Sequence, residues 1–165
     1  VLAAKAGQKL AVELRAAALL DDKPHPEIQS LRPDQKPYWH LERARLGSAR
    51  QVPVELIVNG QAVSRQNLEA DGQVHNLKFE FTPEQSSWVA VRIVPSAHTN
   101  PAFVEIDGQP IRSSRKSAQW CLDAVDVCWR AKVGKIAEAE RPAAQQAYDV
   151  ARDYYRRVLA EAEQD

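Results

Sequence analysis

A mainly β fold is expected, an immunoglobulin-like antiparallel β-sandwich followed by a C-terminal two-helix segment. Three observations predict it. About seven apolar-alternating runs of strand length occupy residues 8–111. Turn dipeptides, Asn59-Gly60, Asp71-Gly72 and Asp107-Gly108, separate them. Beyond residue 112 the apolar period changes from two to three-to-four. No helical run falls between the strands, which argues against a parallel α/β sheet. The division is thus 1–112 for the sandwich and 113–165 for a helical hairpin packing on the sandwich or on a partner domain.

The elements follow in order. From Gln8 to Leu19, Leu10, Val12 and Leu14 point one way while Lys9, Glu13 and Arg15 fill the other face. Asp21 to Pro37 is a polar connection in which Pro24, Pro26, Pro33 and Pro37 forbid regular structure. Its length suggests a functional or interfacial role. Tyr38 to Leu46 reads as a strand, although Leu-Glu-Arg-Ala-Arg also suits a helical turn. Pro53 to Val58 and Gln61 to Leu68 form a hairpin about Asn59-Gly60, two residues that tolerate positive φ. Asp71-Gly72 predicts a second tight turn, before a strand from Val74 to Phe81. Trp88 to Val94 alternates Trp88, Ala90, Arg92 and Val94 against Val89, Val91 and Ile93, so Arg92 shares a face with an aromatic and must snorkel or pair. Phe103 to Ile106 is a last strand, turned by Asp107-Gly108 into Pro110-Ile111. A helix from Ser114 to about Val133 is capped by Ser113 or Ser114 and stopped at Gly134. A second starts near Pro142. Both have apolar stripes that must be buried.

Bulk composition restricts function. The 165 residues carry 22 basic and 22 acidic side chains, so no electrostatic pull on nucleic acid is expected. No apolar run reaches the length of a membrane span. The chain has no methionine and opens on Val1 almost directly before a strand pattern, which reads as a segment of a longer protein. Cys121 and Cys128, two helical turns apart, lie about 10 Å from each other, too far for a disulfide within a helix. They read as buried thiols on one helix face. The four histidines have no metal-ligand spacing, and no phosphate loop or nucleophile elbow occurs. Thus no catalytic residue and no metal ligand is assigned.

Two constellations remain as candidate interface or ligand contacts. His98, Thr99 and Asn100 place an imidazole, a hydroxyl and an amide side by side before Pro101. Their structural alternative is a loop held by side-chain-to-backbone hydrogen bonds. Trp39, His40 and Arg43 offer an aromatic and an Arg of the kind enriched at binding hot spots. Their structural alternative is core and rim of a sandwich strand. His25 and His75 read as solvated, and Arg112, Arg115 and Lys116 as a solvated helix start.

Three stretches, Pro37 to Gly47 continuing through Val54 to Gly60, Ser86 to Arg92 continuing through His98 to Pro101, and Ser117-Ala118-Gln119-Trp120-Cys121, resemble the C-terminal region of bacterial CehA/McbA-type metallohydrolases. Those proteins join a PHP-like metal-dependent hydrolase domain to a β-sandwich. The resemblance implies a non-catalytic accessory domain that stabilises the catalytic domain or shapes the mouth of its active site. It implies that the divalent metal and its ligands belong to an N-terminal catalytic domain of the same polypeptide, with no cofactor in this segment. It also implies a periplasmic or secreted setting. The alternative is an independent carbohydrate- or protein-binding module, which an exposed Trp39 favours and a buried Trp39 opposes.

Overall fold

A computed structural model describes residues 1–162. The chain forms two compact units, Val1–Pro110 and Ile111–Asp165. The first is mainly β and the second is helical.

Eight strands build the first unit: β1 (Leu2–Ala4), β2 (Leu10–Leu19), β3 (Gln51–Val58), β4 (Gln61–Glu69), β5 (Asp71–Phe81), β6 (Ser87–Ile93), β7 (Ala97–His98) and β8 (Ala102–Ile106). The larger sheet runs β1-β8-β6-β3-β4, with β7 also on β6, and the smaller is the pair β2-β5. All pairings are antiparallel except β1 with β8. The core lies between the sheets. Val54, Leu56, Val91 and Val104 of the larger sheet are buried with Phe79 and Ala18 of the smaller, and Leu10, Val12 and Leu14 pack against them. This is the face that alternation assigns on β2, β3 and β6. Phe79 and Leu56 are at most 1% exposed, each contributing about 2 kcal/mol by burial.

The Asn59-Gly60 hairpin forms as expected, with φ of 50° and 89°. Asn59 also leaves its own hairpin. Its Nδ2 donates to Ser87 Oγ at 3.0 Å and its Oδ1 accepts from the Trp88 amide at 3.1 Å, fastening the turn to β6.

Four local expectations are corrected. Asp71-Gly72 makes no tight turn, because both residues already lie in β5; β4 and β5 belong to different sheets and the chain changes sheet at Ala70. The Ala70 amide bonds Arg50 O and its carbonyl accepts from the Leu20 amide, so the crossing point is fully bonded. Asp107-Gly108 turns the chain, but no strand returns through Pro110-Ile111. The proline-rich connection holds one helical turn, α1 (Pro26–Gln29), since Pro26 stands at a first-turn position where no amide is needed. Tyr38 to Leu46 is no strand. Leu41–Ala44 is a 3-10 turn whose N-cap is the His40 ring, accepting from the Glu42 amide.

That turn places Glu42 and Arg45 on one side, three residues apart, and both are buried. Arg45 Nε donates to Glu42 Oε1 at 2.7 Å, and the two side chains are 0% and 1% exposed. The same oxygen accepts from the His25 amide at 2.9 Å and from Gln29 at 3.1 Å. Arg45 donates further to Asp21 O and Ala49 O. A strand would have sent neighbouring polar side chains to opposite faces; the turn collects them around one buried ion pair.

In the second unit, α2 (Arg115–Lys132) and α3 (Arg141–Glu161) pack on each other. Ser114 is the N-cap of α2, accepting from the Ser117 amide. Gly134 falls in a short 3-10 continuation, Val133–Lys135, before the chain turns. Trp129 packs on Tyr148 with centroids 4.9 Å apart, and Arg152 reaches Asp126 at 2.7 Å. Cys121 and Cys128 are free and only partly buried, with Cys128 Sγ 3.2 Å from the Tyr148 hydroxyl. Arg112 and Arg115, expected to be solvated, bond Glu161 and the Leu159 carbonyl.

Candidate functional site

The six candidate residues divide between two places on the sandwich. His98, Thr99 and Asn100 interrupt what is otherwise one strand beside β6. Arg92 pairs with His98, whereas Trp88 pairs with Phe103, so the register slips by one residue between β7 and β8. Thr99 holds the slip. Its amide donates to Val91 O at 2.9 Å, and its Oγ1 accepts the Val91 amide at 3.1 Å in place of a backbone carbonyl. His98 Nδ1 contacts Thr99 O at 3.0 Å. The structural alternative for this loop therefore accounts for its hydrogen bonds. His98 shares the outer face of the sheet with its register partner Arg92, and Thr99 and Pro101 lie beside it.

There they border a depression of about 550 Å3 with Trp88, Ala90 and Arg92 of β6, Ile57 of β3 and Phe103 of β8. Asn100 is exposed and not part of it. The floor is assembled by register, with Ile57 opposite Ala90 and Trp88 opposite Phe103. Alternation marks Trp88, Ala90 and Arg92 as one face. Ile57 and Phe103 are found only through pairings made across 33 and 15 residues, which nothing in their own neighbourhoods signals.

Arg92, expected to snorkel or pair, pairs with Glu55. Arg92 Nε donates to Glu55 Oε2 at 2.8 Å, and Arg65 donates to Oε1 at 2.6 Å. Hydrogen bonds from Arg65 and Arg92 hold the Glu55 carboxyl below its ordinary value, against the opposing effect of burial. Two guanidinium groups thus flank one carboxylate.

Trp39, His40 and Arg43 lie in the other place. Trp39 is 65% exposed and Tyr38 43%, so the core-and-rim expectation for this group is corrected: with no strand here, no sheet covers the rings. The two rings are tilted by 59° with centroids 6.2 Å apart. Ser96 Oγ donates to the Trp39 carbonyl at 2.8 Å, which ties this segment to the β6–β7 connection. His40 caps the 3-10 turn. Arg43 donates to the carbonyls of Pro37, Leu31, Arg32 and Gln35. It organises the proline-rich loop rather than facing a ligand, and one rigid guanidinium replaces the backbone partners that prolines deny.

His25, expected to be solvated, contacts Asp21 at 2.8 Å and Glu27 at 3.1 Å. The hydrogen bonds to Asp21 and Glu27 raise its pKa above the ordinary value. His75 likewise contacts Asp71 at 2.9 Å. Among the described residues no group of three or more His, Cys, Asp or Glu side chains could hold a metal ion, and no helix is long and apolar enough to cross a membrane.

Comparison of the chain with family models, with curated proteins and with solved structures yields no match.

Proposed function

We propose that this chain is a non-catalytic, immunoglobulin-like accessory domain of a metal-dependent hydrolase, and that it docks on the catalytic domain through the Tyr38-Trp39 shelf. The docking surface rests on one observation, which also favours an independent module; the choice of partner rests on the resemblance. Trp39 is a large, exposed aromatic on a segment tied down from both sides, by Arg43 on the proline-rich loop and by Ser96 on the sheet. An aromatic anchor that is already ordered loses little entropy on binding, and such residues dominate interface energetics. The resemblance of residues 37–60 and 86–101 to the CehA/McbA-type C-terminal region supplies the partner. The metal chemistry, a divalent ion held by His and Asp, then belongs to that partner.

The test is titration of this chain against a separately expressed PHP-like hydrolase domain of that family. The expected result is a saturable complex that Trp39→Ala weakens roughly thirtyfold, the loss of about 2 kcal/mol typical of a hot spot. No association, or equal affinity of the variant, overturns the docking. Ester or phosphoester turnover by this chain alone, abolished by His98→Ala, overturns the non-catalytic assignment.

A second reading draws on the same shelf. Two tilted, exposed aromatic rings also suit the apolar face of a sugar, as in an independent carbohydrate-binding module. Saturable oligosaccharide binding that vanishes in Trp39→Ala, without association to the hydrolase domain, decides for it.

A further inference from the structure

The outer face of the larger sheet has a feature that the docking shelf does not use. We infer that the depression beside the Thr99 bulge is a binding site for a free small aromatic carboxylate.

Size and lining come first. At about 550 Å3 the depression lies within the roughly 300–1,000 Å3 of small-ligand sites, which are mostly apolar with a few converging polar groups. Its apolar surface comes from Trp88, Phe103, Ile57, Ala90 and Pro101. Phe103 remains 45% exposed. A flat ring laid against Trp88 and Phe103 withdraws this surface from water and gains the aromatic contact.

Charge selects the rest of the ligand. Glu55 neutralises only one of the two guanidinium groups that it bonds, so the Arg65–Glu55–Arg92 row carries one excess positive charge. Arg92 uses Nε alone for Glu55; its two terminal nitrogens have no partner among the described residues. Those nitrogens form the fork that grips a carboxylate in two parallel hydrogen bonds. His98 lies on the same rim, its Nδ1–H donating to the Thr99 carbonyl. A ring for the floor and a carboxylate for Arg92 together define the ligand class.

Rigidity completes the case. The floor consists of three hydrogen-bonded strands, and the rim is the bulge pinned by the two Thr99–Val91 bonds. Little ordering cost remains for binding.

The test uses 2-naphthoate as the probe, titrated into the full chain and followed by amide and indole chemical shifts. Expected are saturable shifts confined to β6, β8, residues 97–101 and the Trp88 indole. The neutral isostere 2-naphthamide binds roughly tenfold more weakly. Phe103→Ala, at a half-exposed position, weakens naphthoate by a similar factor, and Arg92→Gln removes the preference for naphthoate over naphthamide. Trp39→Ala leaves all of this unchanged, which separates the site from the docking shelf. Equal binding of the amide, shifts elsewhere on the molecule, or no saturation overturns the proposal. Binding of a short peptide with an aromatic C-terminal residue in place of free naphthoate overturns it as well. If Arg92→Gln does not fold, the amide and Phe103→Ala arms still decide.

Discussion

Replacing Glu42 by Ala should be the most damaging single change outside the apolar core. The carboxylate accepts hydrogen bonds from Arg45 Nε, the His25 amide and Gln29, and its side chain is 1% exposed. Removing it leaves a guanidinium at 0% exposure with only the carbonyls of Asp21 and Ala49. It also orphans the His25 amide. Breaking a buried pair from one side costs about 3–5 kcal/mol, a fifth or more of the total of about 5–15 kcal/mol that holds a typical domain. Glu42→Gln keeps an acceptor in place but discards the charge, and should lose about 1.5–3 kcal/mol. The double change Glu42→Leu with Arg45→Met removes both charges and should cost less than Glu42→Ala alone. It will not be neutral, because Arg45 also serves the two carbonyls. Urea unfolding followed at the Trp88 indole resonance reads the sandwich without the helical unit. A loss below about 1 kcal/mol for Glu42→Ala, the size of an exposed pair, refutes the claim that this carboxylate is desolvated and shared.

The remaining predictions concern pH, the loop and the helical unit. Burial pushes the Glu42 carboxyl up, but the Arg45 and His25 hydrogen bonds outweigh it, so Glu42, like Glu55, titrates below its ordinary value of 4.5. Their stabilisation is complete above that ordinary value and is lost as pH falls through the lowered folded value. Glu55→Gln should therefore flatten the acid limb of a stability–pH curve; an unchanged limb refutes the assignment. The raised pKa of His25 acts in the opposite sense, its contribution being complete below 6.5 and lost as pH rises through the folded value. His25→Ala should remove that alkaline-side decline in melting temperature. Arg43→Ala frees four carbonyls of the proline-rich loop. It should raise amide exchange and protease cleavage over residues 30–40, and Arg43→Lys, lacking the planar fork, should not restore protection. In the helical unit, the Tyr148 hydrogen bond holds the Cys128 thiol below its ordinary value. Tyr148→Phe should therefore slow alkylation of Cys128 at neutral pH while leaving Cys121 unchanged.

The elements that could be read directly were those whose cause is local. The β2, β3 and β6 faces followed from alternation because neighbouring side chains in a strand must point to opposite sides. The Asn59-Gly60 hairpin followed from two residues that accept positive φ, and the α2 cap from a Ser one position before the first helical turn. The candidate loop at His98 was legible for the same reason, as a polar run stopped by Pro101. The segment from Tyr38 to Leu46 was not. Its composition fits strand and turn alike, and the choice is made by Glu42 and Arg45, which find their partners on Asp21, His25 and Gln29. Nothing within residues 38–46 contains that information, so Trp39 could be placed in the open only after the buried pair had been found.

By itself the amino-acid order determined which side chains on β2, β3 and β6 face the core, that helices follow the strands, and where the chain reverses at Asn59-Gly60. Only the tertiary structure decided that the chain changes sheet at Ala70 rather than turning at Asp71-Gly72, that β1 runs parallel to β8, and that Phe103 lies opposite Trp88. Alternation and turn preference act over a few bonds and are written in adjacent residues. Register, sheet membership and the one-residue slip at Thr99 are settled by hydrogen bonds between segments far apart in the chain, which form only once the whole set of strands has found a common core.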